Sequence, residues 1–207
     1  TNSTLLSKYI PSTLYTDWNY RVPTYGWFDV GVSNQQAVMD QEINDAADHG
    51  LDFWAFDNYK MMEDISSGPP EDTPLLYGAF KNYLASPYKN RLKFAFVAGG
   101  GCAASACGQI VGYFRATYIP YLVSMFKDSQ YLKVSGNRPV LFWTDSGSSW
   151  ANFPNWDQDR IYLNQQAEAA GLGDPIIINT TMDIAGAKAH GLEGMTTYGV
   201  MGGGSTP

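Results

Sequence analysis

Leu51-Asp52-Phe53-Trp54-Ala55-Phe56-Asp57-Asn58-Tyr59 decides the fold. It opens on a mostly apolar run, Leu51 to Phe56, and closes on polar residues. A strand buried on both faces of a parallel sheet reads this way, because neither face is left to water. Before it, Ser33 to His49 reads as a helix. Ser33 or Asn34 can cap it, Val38, Ile43, Ala46 and Ala47 give an inward face, and Gly50 supplies the left-handed stop. Helix, glycine stop and apolar strand together make half of a βαβ unit.

The same pattern extends in both directions. Leu14 to Tyr20 is a first strand. Downstream, Leu75 to Ser86 is a helix stopped by Pro87, and Leu92 to Ala98 is a strand. Ile110 to Phe126 is a long helix in which Pro120 predicts a kink or break. Pro139 to Thr144 is a strand, and Trp156 to Ala170 is a helix ended by Gly171. Pro175 to Asn179 is a strand, Ile184 to His190 a short helix ended by Gly191, and Met195 to Tyr198 a last strand. These make about six βα units, the signature of an α/β protein with a parallel sheet.

An open doubly wound sheet and a closed (β/α)8 TIM-type barrel both satisfy this alternation. No GxGxxG follows the first strand and no P-loop is present, which favours the barrel. A full barrel takes eight units and about 250 residues, whereas the chain has 207. Residues 1–207 are therefore expected to form a single barrel domain of catalytic type, incomplete at its C-terminal side. Gly202-Gly203-Gly204-Ser205-Thr206-Pro207 reads as a loop. A second chain that completes the barrel, or an open sheet, are the alternatives. No solenoid repeat is present.

Composition narrows the partners. The formal net charge is −7, and the 13 Lys and Arg are scattered with no basic stripe. Nucleic acid and anionic membranes are therefore excluded as expected partners, and a neutral substrate suits the acidic surface. Aromatic residues make up 14% of the chain, with 6 Trp and 14 Tyr. Trp and Tyr join a flat apolar face to a polar tip and favour binding surfaces, although a Tyr-rich core is an equal reading. Phe94 to Phe114 carries no charge and is long enough to span a bilayer. Its glycines, Ser105 and Gln109 read instead as a strand, a loop and a helix start.

Cys102 and Cys107 are too few for a metal site and too far from His49 and His190 in sequence. They read as a local disulfide, which fits an oxidising compartment. The sequons Asn2-Ser3-Thr4 and Asn179-Thr180-Thr181 are compatible with secretion. No signal peptide is visible, and a secreted, extracellular location is expected with that segment removed or lying outside the chain. No motif calls for a cofactor or a metal. Glu63, Asp64, Glu71 and Asp72 lack EF-hand spacing. Nothing in the sequence reports the oligomeric state.

In parallel α/β folds, functional groups collect at the C-terminal ends of the strands. The residues expected there are Asp17, Trp18 and Tyr20; Asp57, Asn58 and Tyr59; Trp143, Thr144 and Asp145; Asn179 and Thr180; and Thr197 and Tyr198. Sugars are held by aromatic faces under their C–H surfaces and by carboxylates and amides on their hydroxyls. Their hydrolysis needs two carboxylates flanking the scissile bond. Asp57 and Asp145 are the candidate catalytic pair. Trp18, Tyr59, Trp143, Asn179 and Tyr198 are the candidate sugar-binding residues. The plain alternative is that each Asp caps a helix or accepts turn N–H groups.

An ordered set of motifs carries a resemblance. It comprises Pro23-Thr24-Tyr25-Gly26-Trp27-Phe28-Asp29, Gln41-Glu42-Ile43, and Ala46-Ala47-Asp48-His49-Gly50 running into Leu51 to Tyr59. Phe126 to Phe142 and Gly194-Met195-Thr196-Thr197-Tyr198 complete it. In this order the set resembles the family 99-like glycoside hydrolases, which include endo-α-mannosidases and related domains of polysaccharide-biosynthesis proteins. The resemblance spans nearly the whole chain. It implies a (β/α)8 barrel acting on α-linked glycans, with Asp57 and Tyr59 in the glycan cleft and Tyr198 near the reacting sugar. The family's catalytic glutamates stand in a Glu-Trp-x-Glu segment after the sixth strand, and the chain ends before such a segment. The expected function is thus a glycoside hydrolase, with a non-catalytic carbohydrate-binding or surface-assembly protein on the same scaffold as the alternative.

Overall fold

The computed structural model describes residues 35–58, 74–99, 112–144, 155–180 and 183–196. These fall into two units, one of residues 35–51 with 74–92 and one holding the remainder. The expected first strand, Leu14 to Tyr20, lies outside the described residues.

The first unit is helical. Helix α1 spans Gln35–Asp48 and α2 spans Pro74–Ala85. Met39, Ile43 and Ala46 form the buried stripe of α1, at the i, i+4, i+7 spacing of one helix face. The expected Val38 and Ala47 flank that stripe and are half-buried. Gly50 has φ +81°, and the Leu51 N–H reaches back to the Ala46 carbonyl at 3.0 Å. This closure satisfies carbonyls that the helix end would otherwise leave bare. The 3-10 turn Lys89–Arg91 is held to α1 by its arginine, which donates to the Asn44 carboxamide and pairs with Asp48 at 2.6 Å. Beneath it the Tyr83 ring is fully buried, and its hydroxyl donates to the Leu92 carbonyl.

The second unit carries the sheet. Strands β1 (Phe53–Asp57), β2 (Lys93–Gly99), β4 (Arg138–Thr144), β5 (Ile176–Asn179) and β6 (Gly194–Met195) lie parallel in that order. Along this path the parallel strands follow one another in chain order, with no reversal among the described parallel strands. A doubly wound sheet would carry such a reversal at its switch point. The two-residue β3 (Lys133–Val134), absent from the sequence expectation, pairs antiparallel with the start of β4. Gly136 and Asn137 turn between them at φ +78° and +58°. Both are residue types that accept the left-handed conformation such a turn requires.

Residues 112–126 form one helix with a change of pitch. Phe114–Tyr118 is a π-helical segment, and the α-helical part, α3, runs Ile119–Phe126. Pro120 is the second residue of α3, directly after the π segment. The irregularity expected at Pro120 is therefore taken up just ahead of it, in the π turn. Helix α4 (Trp156–Ala169) packs against α3, and α5 (Ile184–Ala189) is capped by the Asp183 carboxylate, which accepts the Gly186 N–H at 2.8 Å.

The register sorts the strands into two faces. Phe96, Leu141 and Ile177 form one row, and Ala98, Trp143 and Asn179 form the next. Neighbours in parallel register share a face, so both rows lie on the same side. That side packs against the helices. Phe96 stacks on Tyr121 at 6.1 Å, and Trp143 lies 4.5 Å from Trp156 and 5.7 Å from Phe114, centroid to centroid. Tyr131 pins the same face. It accepts the Phe96 N–H and donates to the Val140 carbonyl, and burial holds its hydroxyl far above the usual tyrosine range. The opposite face carries Phe53, Asp57, Val97, Phe142 and Ile178, all half-buried. Phe53 stacks on Phe142 there at 6.2 Å, reaching over the small Ala95 of the intervening strand.

Candidate functional site

The C-terminal ends of the parallel strands carry polar residues in two successive layers of one face. Asp57 is opposite Val97, which is opposite Phe142, which is opposite Ile178. Strand alternation therefore places Asp57 on the face away from the helices, together with the Phe53–Phe142 stack. One layer beyond, Gly99 stands opposite Thr144. The Thr144 and Thr180 hydroxyls are 2.6 Å apart. The Thr180 N–H bonds the Trp143 carbonyl at 2.9 Å, and the Thr196 N–H bonds the Asn179 carbonyl at 2.7 Å. These two bonds carry the ladder one residue past the last paired residues of β5 and β6. The face thus ends in Asp57 followed by a threonine row, Thr144, Thr180 and Thr196, on rigid strand ends.

The exposures grade along this row. Thr180 is buried, Asp57 and Thr144 are half-buried, and Thr196 is exposed. The Thr180 hydroxyl also donates to the Trp143 carbonyl at 3.3 Å. In that arrangement the Thr144 hydroxyl supplies the hydrogen between the two threonines, and its oxygen retains lone pairs toward the open side of the row. Hydroxyl oxygens and a carboxylate are the groups that accept from the hydroxyls of a neutral polar ligand.

Trp143 and Asn179 do not join this row. Both were expected to face a sugar, and both are 0% exposed. Their parity puts them on the helix side. The Trp143 ring is enclosed by Phe114 and Trp156, and the Asn179 amide donates to the Asp183 carbonyl at 3.4 Å. Trp143 is therefore core here and offers no ring face to a ligand, and Asn179 ties the end of β5 to the start of α5. The other expected residues, Trp18, Tyr59, Asp145 and Tyr198, lie outside the described residues, as do Cys102 and Cys107. Among the described residues no cluster of three or more His, Cys, Asp or Glu side chains comes together to hold a metal.

Two residues of the site were visible only as rim positions. Thr144 and Thr180 follow apolar strands in sequence, but their pairing depends on the register of β4 against β5. Asn58 is a third. It is 5% exposed, its Nδ2 donates to the Tyr121 hydroxyl at 3.0 Å, and its Oδ1 accepts from the Tyr118 hydroxyl at 3.0 Å. Its own N–H bonds the Val97 carbonyl at 2.8 Å. Burial raises Tyr118 well above the usual tyrosine range, and the neighbouring tyrosines add to it, so this hydroxyl stays protonated and able to donate.

Among the described residues no helix is long and apolar enough to cross a membrane. No protein-family model, curated protein or solved structure matches the chain.

Proposed function

We propose that this protein is a carbohydrate-active (β/α)-barrel protein of glycoside hydrolase type, taking a neutral α-linked glycan at the C-terminal ends of its strands. The carrying observation is the row Asp57, Thr144, Thr180 and Thr196 on the sheet face opposite the helices. That face is the one a closed barrel turns inward, and its C-terminal end is where barrel enzymes bind substrate. The strand order without reversal supports a singly wound, barrel-type sheet. The motif resemblance to family 99-like glycoside hydrolases suggests an α-linked glycan as substrate class. A secreted location and a Cys102–Cys107 disulfide belong to the same reading.

Within this reading Asp57 accepts from one sugar hydroxyl, and the Thr144 oxygen accepts from a second. Asp145 follows Thr144 directly in sequence and is the candidate second carboxylate for hydrolysis. The non-catalytic alternative is favoured by one observation. Asp57 is the single carboxylate on the described part of the row, and glycosidic cleavage needs two. A carbohydrate-binding or assembly protein needs only the hydroxyl-matching row.

The experiment is calorimetric titration of the chain with a linear α-linked manno-oligosaccharide, alongside chromatographic assay for its cleavage. Binding that is lost in Asp57→Asn at unchanged melting temperature supports the glycan site. Cleavage lost in Asp145→Asn makes the protein a hydrolase, whereas binding without cleavage makes it a binding protein. Absence of binding to this and other neutral glycans rejects both.

A further inference from the structure

We propose that Asn58 is a positioning residue, clamped by Tyr118 and Tyr121 so that the end of β1 aims Asp57 into the face opposite the helices. The proposal rests on the glycan reading for what Asp57 contacts, and on geometry alone for how Asp57 is held.

Asp57 and Asn58 are adjacent, so alternation sends them to opposite sides of the strand. Asn58 ends on the helix side with both ends of its carboxamide engaged by tyrosine hydroxyls. Tyr118 and Tyr121 are three residues apart across the π-to-α junction and present both hydroxyls to one point. Tyr121 is itself fixed by stacking on Phe96, and Tyr118 is fully buried beside Phe114. The backbone of Asn58 is bonded to Val97, the residue opposite Asp57 in the neighbouring strand. Three bonds thus hold the residue that follows Asp57, at the place where a strand end would otherwise fray. A strand end free to rotate would let Asp57 sample several directions. One that is pinned holds it in a single one, as a site on a rigid element requires.

An apolar residue at position 58 would fill the same space more cheaply, since a buried amide gains little net stability over a well-packed side chain. What the amide adds is direction, through two hydrogen bonds whose angles fix its plane. The π turn that ends at Tyr118 fits this role, as single π turns recur beside functional sites.

The test compares wild type with Tyr118→Phe, Tyr118→Phe/Tyr121→Phe and Asn58→Ala. The two tyrosine variants keep the rings and the packing, so they fold even if Asn58→Ala does not. The readouts are the Asp57 carboxyl carbon chemical shift at fixed pH, with the exposed Asp174 as internal control, and affinity for the α-linked manno-oligosaccharide. The expected result is a displaced Asp57 carboxyl resonance in both tyrosine variants, with that of Asp174 unmoved. Affinity in the double variant falls about tenfold, the loss expected for roughly one misplaced hydrogen bond. A lowered melting temperature with the Asp57 carboxyl resonance and the affinity both at wild-type values would overturn the proposal and leave Asn58 as a core residue. If wild type binds no glycan, the glycan reading fails separately. The carboxyl resonance still decides the positioning role, a displaced one upholding it and an unmoved one rejecting it.

Discussion

The Thr144 and Thr180 hydroxyls meet at 2.6 Å across the last rung between β4 and β5, with Thr180 buried and Thr144 half-open. The two residues divide the work. Thr180 also donates to the Trp143 carbonyl, so its hydroxyl serves two partners inside the protein. Thr144 faces the row that holds Asp57. Valine is the matching test, because it keeps the branched shape and removes only the hydroxyl. Thr180→Val should cost stability of about 1 kcal/mol, the net worth of a buried hydrogen bond, read as a shift in denaturant midpoint. Thr144→Val should cost less stability and weaken glycan binding by roughly tenfold. Equal loss of affinity in both, with no difference in stability, would remove the division of roles.

Trp143 yields the second expectation. Its ring is enclosed by Phe114 and Trp156 and is 0% exposed. Trp143→Ala should destabilise by about 3–5 kcal/mol, the usual range for emptying a buried aromatic site. Trp143→Phe, which refills much of the volume, should retain glycan affinity. Abolished binding in a folded Trp143→Phe variant would return this residue to the sugar site.

The contrast between Trp143 and Thr144 shows where the sequence stops being legible. Helix ends were readable because glycine punctuates them, and Gly50 and Gly171 do adopt positive φ just past α1 and α4. Strands were readable because parallel strands are apolar throughout. That same property hides their faces. Leu141-Phe142-Trp143 and Ile176-Ile177-Ile178 show no polar alternation, so no pattern says which side Trp143 takes. Only the pairing of β4 with β2 and β5 assigns it to the helix side. Asp57 was identified from its place after an apolar run, and Asn58, beside it, carried no separate signal. Its partners Tyr118 and Tyr121 lie 60 and 63 residues away in the chain. The strand β3 escaped because two residues are too few for a period to appear.

Burial also settles one of the two sequons. Asn179 opens Asn179-Thr180-Thr181, yet its side chain is 0% exposed and its amide donates to the Asp183 carbonyl. A glycan on that nitrogen has no room in the folded chain. Expression through a eukaryotic secretory pathway, followed by glycopeptide mass spectrometry, should find Asn179 bare. Asn179→Gln should leave the glycan mass unchanged while lowering the melting temperature, since the longer amide no longer fits its pocket. A folded, glycosylated Asn179 would contradict the register that buries it.

Arg115 and Asp159 join the π segment to α4, and they predict a pH dependence whose sign can be worked out. The pair is 2.9 Å apart, but its burial is lopsided, with the Asp159 side chain 8% exposed and that of Arg115 45%. The arginine keeps much of its water and rests over the Tyr162 ring, while the carboxylate gives up nearly all of its own. Burial therefore outweighs the attraction of Arg115, and the Asp159 carboxyl is raised above its ordinary 3.8. A raised native value means the folded chain holds this proton more tightly than the unfolded chain. The contribution of Asp159 to stability is then greatest below the unfolded value. It falls as pH climbs through the native one, and the cost is complete above it. Asp159→Asn lacks that proton, so the stability of wild type minus that of Asp159→Asn should decline as pH rises from 3.8 through the raised value. Arg115→Met removes the group that lowers the carboxyl and should push the decline to higher pH. Denaturant midpoints across an acid-to-neutral series give both curves. A difference that rises with pH would mean that Arg115 prevails over burial and that the pair stabilises the helix junction as a conventional ion pair.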